Sequence, residues 1–469
     1  MRRAYAVLLA LCCALAAALA TAGPARAAQG TIANGTQFTD TSGNPVHAHG
    51  GGVIEVGGSY YWFGEDRNSD NTFRSVNAYR STDLKNWEFR ARVLTRSSAA
   101  ELSTAYIERP KVVYNAATGK FVMWMHKENG TDYGEARAAV AVSDTVDGSY
   151  TYRGSFRPLG RYMSRDLTTY VDTDGTAYMV SAANENYDLH IYRLTADYTG
   201  IAGLVANPWP GGHREAPALF KRGGVYFMLT SGATGWNPNQ QQYATATSLA
   251  GPWTSWKAVG DSTAYGSQTA YVLPVQGTSG TSYLYLGDRW GNSFGGKVND
   301  SRYVWLPLAF PSATSMTMSW YPEITVDTTA GTVTGTAAAY NTLIARHSSK
   351  CADVPGQSLW QGVAISQYGC NGGTNQKWWS KDLGNGYRAL VGRGGSLCLQ
   401  ESASGVTQED CTGATAQQWS LTASGSYVTL KSRASGECLD VSGGSTADSA
   451  AVITYACNGA ANQQWRLGS

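Results

Sequence analysis

Cysteine is missing from residues 29–350 of this 469-residue chain, so no disulfide can brace its first two-thirds. Charge is scarce as well, with 15% of residues charged and a formal net charge of +2. No basic tract occurs, which argues against nucleic acid and anionic membrane as partners and favours a neutral ligand. After residue 20 there is no apolar run long enough to span a bilayer, so no membrane partner is expected. Serine-esterase and zinc-protease chemistry is not expected, and no His-Glu-x-x-His pattern occurs. His47 and His49 stand two apart but have no third or fourth ligand nearby, which predicts no metal site and no cofactor.

What is plentiful is glycine, tyrosine and tryptophan, at 54, 28 and 15 residues, a composition that suits an all-β chain with tight turns. Residues 1–28 read as a signal peptide: Arg2 and Arg3 precede an apolar stretch over 6–20, and Ala25-Arg26-Ala27 offers a cleavage site. Its removal takes away three arginines and no acid, which carries the charge from +2 to −1. The mature protein is expected to be secreted, extracellular and monomeric.

Residues 49–325 carry a loose five-fold pattern, within a first domain expected over 29–327. The units open at His49-Gly-Gly-Gly, Glu108-Arg-Pro, Asp166, Glu215-Ala-Pro and Gln268. Each continues with three or four strand-like runs parted by Gly, Asp or Asn turns, as in Ser59-Tyr-Tyr-Trp-Phe63 or Gly224-Val-Tyr-Phe-Met-Leu-Thr230. That period is the arithmetic of a β-propeller blade. In a propeller the inner strands start on one axis, so Glu108, Asp166, Glu215 and Gln268 would converge. Carboxylates that converge from distant sequence repel one another, and one of them then keeps its proton. Such a pair can flank a glycosidic bond, with the protonated member acting as general acid.

Residues 328–339 are small and polar and read as a linker. Residues 340–469 hold the six remaining cysteines and three Gln-x-Trp motifs, at Gln376, Gln417 and Gln463. Six cysteines in a secreted segment admit many pairings, of which the spacing favours the sequential one, 351–370, 398–411 and 438–457. Asp83 and Trp87 read as a blade turn, and Asp172-Thr-Asp174-Gly as a β-turn.

On the turn Ser81-Thr-Asp-Leu-Lys-Asn-Trp87, the Asp166 opening and Glu215 before Ala-Pro, the first domain resembles glycoside hydrolase family 43. Its members are five-bladed propellers that cleave glycosides with inversion. The Ile107-Glu-Arg-Pro110, Phe63-Gly-Glu65 and Gly266-Ser-Gln268 segments make it most similar to the exo-β-1,3-galactanases of that family. Most members place a general-base Asp at the first blade opening, but residues 41–54 here contain no carboxylate, as in the galactanase branch.

The resemblance implies Glu215 as general acid, Asp166 as the residue that tunes and orients it, Gln268 as the group that positions water, and Glu108 as a binder of hydroxyls or water. Glu65, Asn184 and Asn186 are further candidates for hydroxyl binding. The triplicated Gln-x-Trp segment resembles a ricin-B-type β-trefoil, carbohydrate-binding module family 13. There the resemblance implies sugar sites at Asp353, Tyr368 and Asn371 and at Asp440, Tyr455 and Asn458. The middle unit has Gln400, Glu409 and Thr412 instead, and no sugar site is expected there. The expected substrate is β-1,3-galactan or the backbone of an arabinogalactan-protein. An arabinofuranosidase or β-xylosidase of the same family, and a non-catalytic lectin, are the alternatives.

Overall fold

A computed structural model describes residues 29–468, so the expected signal peptide lies outside the described residues. The first domain consists of five four-stranded antiparallel sheets, blades I to V, over residues 49–95, 106–156, 167–206, 214–258 and 268–318. The first strands are His49–Val56, Tyr106–Asn115, Leu167–Val171, Arg214–Arg222 and Gln268–Gly277. Each lies against the first strands of the blades on either side, and that of blade V returns to that of blade I, which closes the ring. The five unit openings read from the sequence therefore all fall at or next to an inner strand.

Alternating β-branched and aromatic residues give each blade two apolar faces, and these pack blade against blade. Between blades V and I the packing is aromatic. Trp62, Trp87, Trp305 and Tyr303 are all nearly or fully buried, and the ring of Trp62 lies 5.2, 5.0 and 4.8 Å from those of Trp87, Trp305 and Tyr303. Asp83 holds the turn before Trp87 by accepting the N–H groups of Lys85 and Asn86 at 3.0 and 2.8 Å. The Asp172 turn closes through the Gly175 N–H to the Asp172 carbonyl at 2.9 Å.

The segment expected as a linker is partly strand. Glu323–Asp327 pairs on one side with Gly30–Ala33 and on the other with Thr332–Gly335, as a three-stranded sheet beside the ring. The small polar composition concealed a β-branched alternation, Thr332-Val-Thr334, whose Val333 is buried against the blade V/I core. Gly331, at φ +72°, makes the turn.

From Tyr340 onward the strands form one continuous thirteen-stranded sheet that is folded as a β-trefoil. Trp378, Trp419 and Trp465 are buried at its centre and donate their indole N–H groups to the carbonyls of Ala352, Leu399 and Leu439 at 3.3, 3.0 and 3.0 Å. The disulfides are the sequential ones, Cys351–Cys370, Cys398–Cys411 and Cys438–Cys457.

Removing the indole that seals the ring should be costly. Trp305→Ala is expected to destabilise the protein by about 3–5 kcal/mol, to be read as a lowered denaturant midpoint with the m-value unchanged.

Candidate active site

The inner strands open into a pocket of about 380 Å³ at the propeller axis. The backbone makes that convergence usable. In blades I, II and IV the register slips directly after the opening residue, between His49 and Gly52, Glu108 and Lys111, and Glu215 and Ala218, and in blade V one residue later, between Thr269 and Tyr271. Such β-bulges re-aim a side chain that regular alternation would send to a blade face. Arg109 and Ala216, at φ 54° and 52°, take the left-handed conformation that the bulges demand. Strain of about 1–3 kcal/mol per residue is typical of such positions.

Glu215, from the inner strand of blade IV, is buried. Its Oε1 accepts the Gln268 Nε2–H at 2.9 Å, and its Oε2 accepts the Asn186 Nδ2–H at 3.1 Å. Burial, reinforced by the nearby Asp166 charge, pushes its carboxyl up to about 8. Asp166 Oδ2 accepts the Ala216 N–H at 3.1 Å, which ties down the bulge beside Glu215, and pairs with Arg109 Nη2 at 2.9 Å.

Gln268 is fully engaged. Its amide N–H groups go to Glu215 and to Ser231 Oγ, both at 2.9 Å, and its oxygen accepts from Arg109 Nη2 at 2.5 Å and Trp290 Nε1 at 2.7 Å. Because Arg and Trp can only donate, they fix which way the amide points.

Glu108 Oε1 accepts from Arg67 Nη2 at 2.6 Å and from the Tyr133 hydroxyl at 2.8 Å, and its Oε2 lies 3.2 Å from His126 Nδ1. Burial would raise this carboxyl, but the His126 bond and the Arg67 charge outweigh it and hold the group far below the ordinary range. Glu65 accepts from Arg67 Nε at 2.8 Å, yet burial and the neighbouring Glu108 push it up to about 7. For His126, burial favours the neutral ring, but its bonds to Glu108 and Glu128 win and raise it to about 9.

Ligand atoms of Glu108, His126 and Asp166 lie within 4.8 Å of one another. The two carboxylates are nevertheless matched by Arg67 and Arg109, and near neutral pH His126 is itself a cation. The trio is therefore built as an ion-pair network, and its donor set fits a metal poorly.

Glu65, Glu108, Asp166, Asn186, Glu215 and Gln268 thus all line the pocket. Asn184 does not. It opens a turn of three left-handed residues, Asn184, Glu185 and Asn186, and its amide reaches Asp188 Oδ2 at 3.4 Å.

At the first blade, Asp288 supplies the carboxylate that residues 41–54 lack, but both its oxygens are spent on His49 Nδ1 at 3.0 Å and the Gly50 N–H at 2.9 Å. The sequence reading passed over Arg67, Arg109, His126, Tyr133 and Trp290, although Arg109 stands inside the Glu-Arg-Pro opening. It also passed over Gly291-Asn-Ser-Phe-Gly295, which has Gly-x-Ser-x-Gly spacing. That segment is a 3₁₀ turn, not a strand-to-helix elbow, and the Ser293 hydroxyl donates to the Trp236 carbonyl.

In the trefoil, Asp353 is buried in a depression that Tyr368 and Asn371 also line, Asp440 is buried at the equivalent position of the third repeat, and Tyr368 and Tyr455 stand 44% and 56% exposed. Asp353 Oδ2 accepts from Asn375 and Gln376 at 2.9 and 2.7 Å, and Asp440 Oδ2 from Asn462 at 2.9 Å. Asn371 Oδ1 and Asn458 Oδ1 accept backbone N–H groups of their own turns, from Gly373 and Ala460.

Residues 43–288 match the sequence profile of glycosyl hydrolases family 43, and residues 339–467 match the ricin-type β-trefoil lectin domain. No curated protein sequence matches the chain. Among solved structures it is similar to an exo-β-1,3-galactanase from Clostridium thermocellum, with 47% identity, 93% of this chain and 99% of that one covered, and a TM-score of 0.66. It is also similar to a glutamate-to-alanine variant of an exo-β-1,3-galactanase from Phanerochaete chrysosporium, solved with β-1,3-galactotriose, at 30% identity over 83% and 92% of the two chains, TM-score 0.66. A β-1,3-galactosidase of the family, solved with galactodeoxynojirimycin, is 36% identical over 62% of this chain and 99% of its own, TM-score 0.57. With its five blades, its axial carboxylates and a relative matched over nearly the full length of both chains, the protein belongs to glycosyl hydrolase family 43 and carries a ricin-type β-trefoil after the propeller.

Proposed function

We propose that the protein is an exo-acting β-1,3-galactanase that releases galactose from β-1,3-galactan with inversion, and that the trefoil docks it on the polymer. The 47% identity to an exo-β-1,3-galactanase across nearly both whole chains carries this reading. The inner strand of the first blade, His49–Val56, supports it, because it brings no carboxylate to the pocket. The three disulfides are in keeping with an oxidising, extracellular location. The propeller is taken as the catalytic domain and residues 340–469 as the sugar-binding module.

In this mechanism the Glu215 carboxyl, raised to about 8, still holds its proton at neutral pH and gives it to the departing glycosidic oxygen. Water adds to the anomeric carbon from the opposite face as the old bond breaks, which inverts the configuration, and the proton it sheds passes to solvent, from which Glu215 is recharged. The family resemblance gives Gln268 the place beside that water, and one of its four bonds within the protein has to open before it can hold the water. Asp166 holds the Glu215 bulge in place and keeps the acid protonated through its charge. Glu108, kept ionised, receives sugar hydroxyls together with Glu65 and Asn186. Asn184, turned toward Asp188, contributes at most to the shape of the Asn186 turn.

Galactose should appear from β-1,3-galactan and not from arabinan or xylan, and Glu215→Gln should cut that release by roughly 10²–10⁴-fold. Pentose release would instead point to the arabinofuranosidase or xylosidase reading. Binding without any turnover would point to the lectin.

The pH profile tests Asp166. Glu215 works as the protonated form, so kcat/KM should fall as pH rises through about 8. Asp166→Asn removes a charge that raises this group and frees Arg109, which lowers it, so the alkaline limb should move to lower pH. An unmoved limb would remove Asp166 from this role.

For the trefoil, replacing Tyr368 and Tyr455 together with Ala should weaken retention on polymeric galactan and leave turnover of galactotriose almost unchanged. Equal loss on both substrates would reject the division of labour.

A further inference from the structure

The three trefoil repeats carry equivalent residues immediately before their second cysteines: Tyr368-Gly369, Glu409-Asp410 and Tyr455-Ala456. Two of these pairs present an exposed ring and no charge. The middle pair is acidic, and it faces the propeller. Asp410 Oδ1 lies 2.8 Å from Arg302 Nη1, and Arg302, at the start of the third strand of blade V, is only 3% exposed in its side chain. Asp410 and, further off, Glu409 are the acids that act on this guanidinium.

The surroundings of that pair belong to the same contact. Arg302 lies over the ring of Trp360 at 5.2 Å, and Trp360 stacks on Phe294 of blade V with centroids 6.4 Å apart and planes at 18°. The Trp360 carbonyl is held by the Gln408 amide of the middle repeat. Arg289, which ends the second strand of blade V, donates to the Gly395 carbonyl at 3.0 Å. Arg393 lies over Tyr265 and Trp320 at 5.6 and 5.0 Å. Blade V residues thus meet the middle repeat, the Gly395 segment that leads into it and, through Trp360, a loop of the first repeat. Tyr368 and Tyr455 remain 44% and 56% exposed.

We propose that the middle repeat of the trefoil is a docking surface for blade V of the same chain, in which the acid pair Glu409-Asp410 neutralises buried Arg302 where the sister repeats keep a sugar-stacking tyrosine. Leaving a buried guanidinium without a carboxylate beside it is strongly unfavourable, so the pairing selects one orientation of the trefoil. That orientation turns the two tyrosine-bearing sites outward. The degenerate sugar motif of the middle repeat is, on this account, an acquired interface.

The test uses the full-length protein. Asp410→Arg sets a second cation against Arg302, and it should lengthen the maximum dimension seen by small-angle scattering and split thermal unfolding into separate propeller and trefoil transitions. Ala456→Arg places the same charge at the same position of the third repeat and should change neither reading. The exchanged pair Arg302→Asp with Asp410→Arg should restore the wild-type dimension and transition, a rescue that general destabilisation would not give. A compact Asp410→Arg protein with wild-type unfolding would overturn the proposal, and so would failure of the exchanged pair to rescue. Should Asp410→Arg not fold, Asp410→Asn decides: a lengthened particle supports the docking role, and an unchanged one rejects it.

Discussion

Arg109 stands on the propeller axis with its guanidinium against Asp166, the Gln268 oxygen and the Thr269 carbonyl, and over the ring of Trp290. Two unit charges about 4 Å apart near a protein surface interact by roughly 4 kcal/mol, so several buried acids can share one pocket only if cations are apportioned among them. The apportioning is uneven. Arg67 serves Glu65 and Glu108, His126 adds to Glu108, and Arg109 takes Asp166. Glu215 is left with neutral amide donors from Gln268 and Asn186. Of the three glutamates, the one without a cation in direct contact is the one raised furthest. Burial raises Glu215 and Glu65, and the placement of two arginines and one histidine sets how far Glu65, Glu108 and Glu215 each move.

That arrangement depends on irregular backbone. A regular strand would send Glu215 and Ala218 to faces set by strict alternation, whereas the bulge lets Glu215 point to the axis while Leu219 and Phe220 still pack in the blade. Asp166 bonds the amide of left-handed Ala216, so the residue that tunes the acid electrically also fixes its backbone. The strain is supported by the dry packing between blades, including the tryptophan-rich contact between blades V and I.

What could be read from the sequence follows from this. The five openings were legible because a blade is a contiguous local unit and repeats its turn chemistry, as in the Asp83 turn. The trefoil was legible because each repeat spends the same Gln, Trp and Cys on the same job. The counter-charges were not legible. Arg67 and His126 come from second strands, at positions where alternation alone does not say which face they take, and Asp288 reaches His49 across 239 residues. Asn184 and Asn186 look equivalent in sequence, but three successive left-handed residues aim only the latter at Glu215. The strand at Thr332–Gly335 was hidden because small polar residues suit a linker and a sheet edge equally well.

The fifth blade shows why an amide, not an acid, stands next to Glu215. Gln268 gives two N–H donors, to Glu215 and Ser231, and receives two, from Arg109 and Trp290. A carboxylate of the same shape could accept from Arg109 and Trp290 but could donate to neither of the other two. It would also set a second negative charge against Glu215, so that the pair would hold a single proton between them and Arg109 would be divided between two acids. The proton would then no longer belong to Glu215 alone. A neutral amide avoids that sharing while it keeps every hydrogen bond satisfied. The same reasoning applies at the opening of the first blade, where Asp288 bonds His49 and Gly50 through its two oxygens and does not line the pocket.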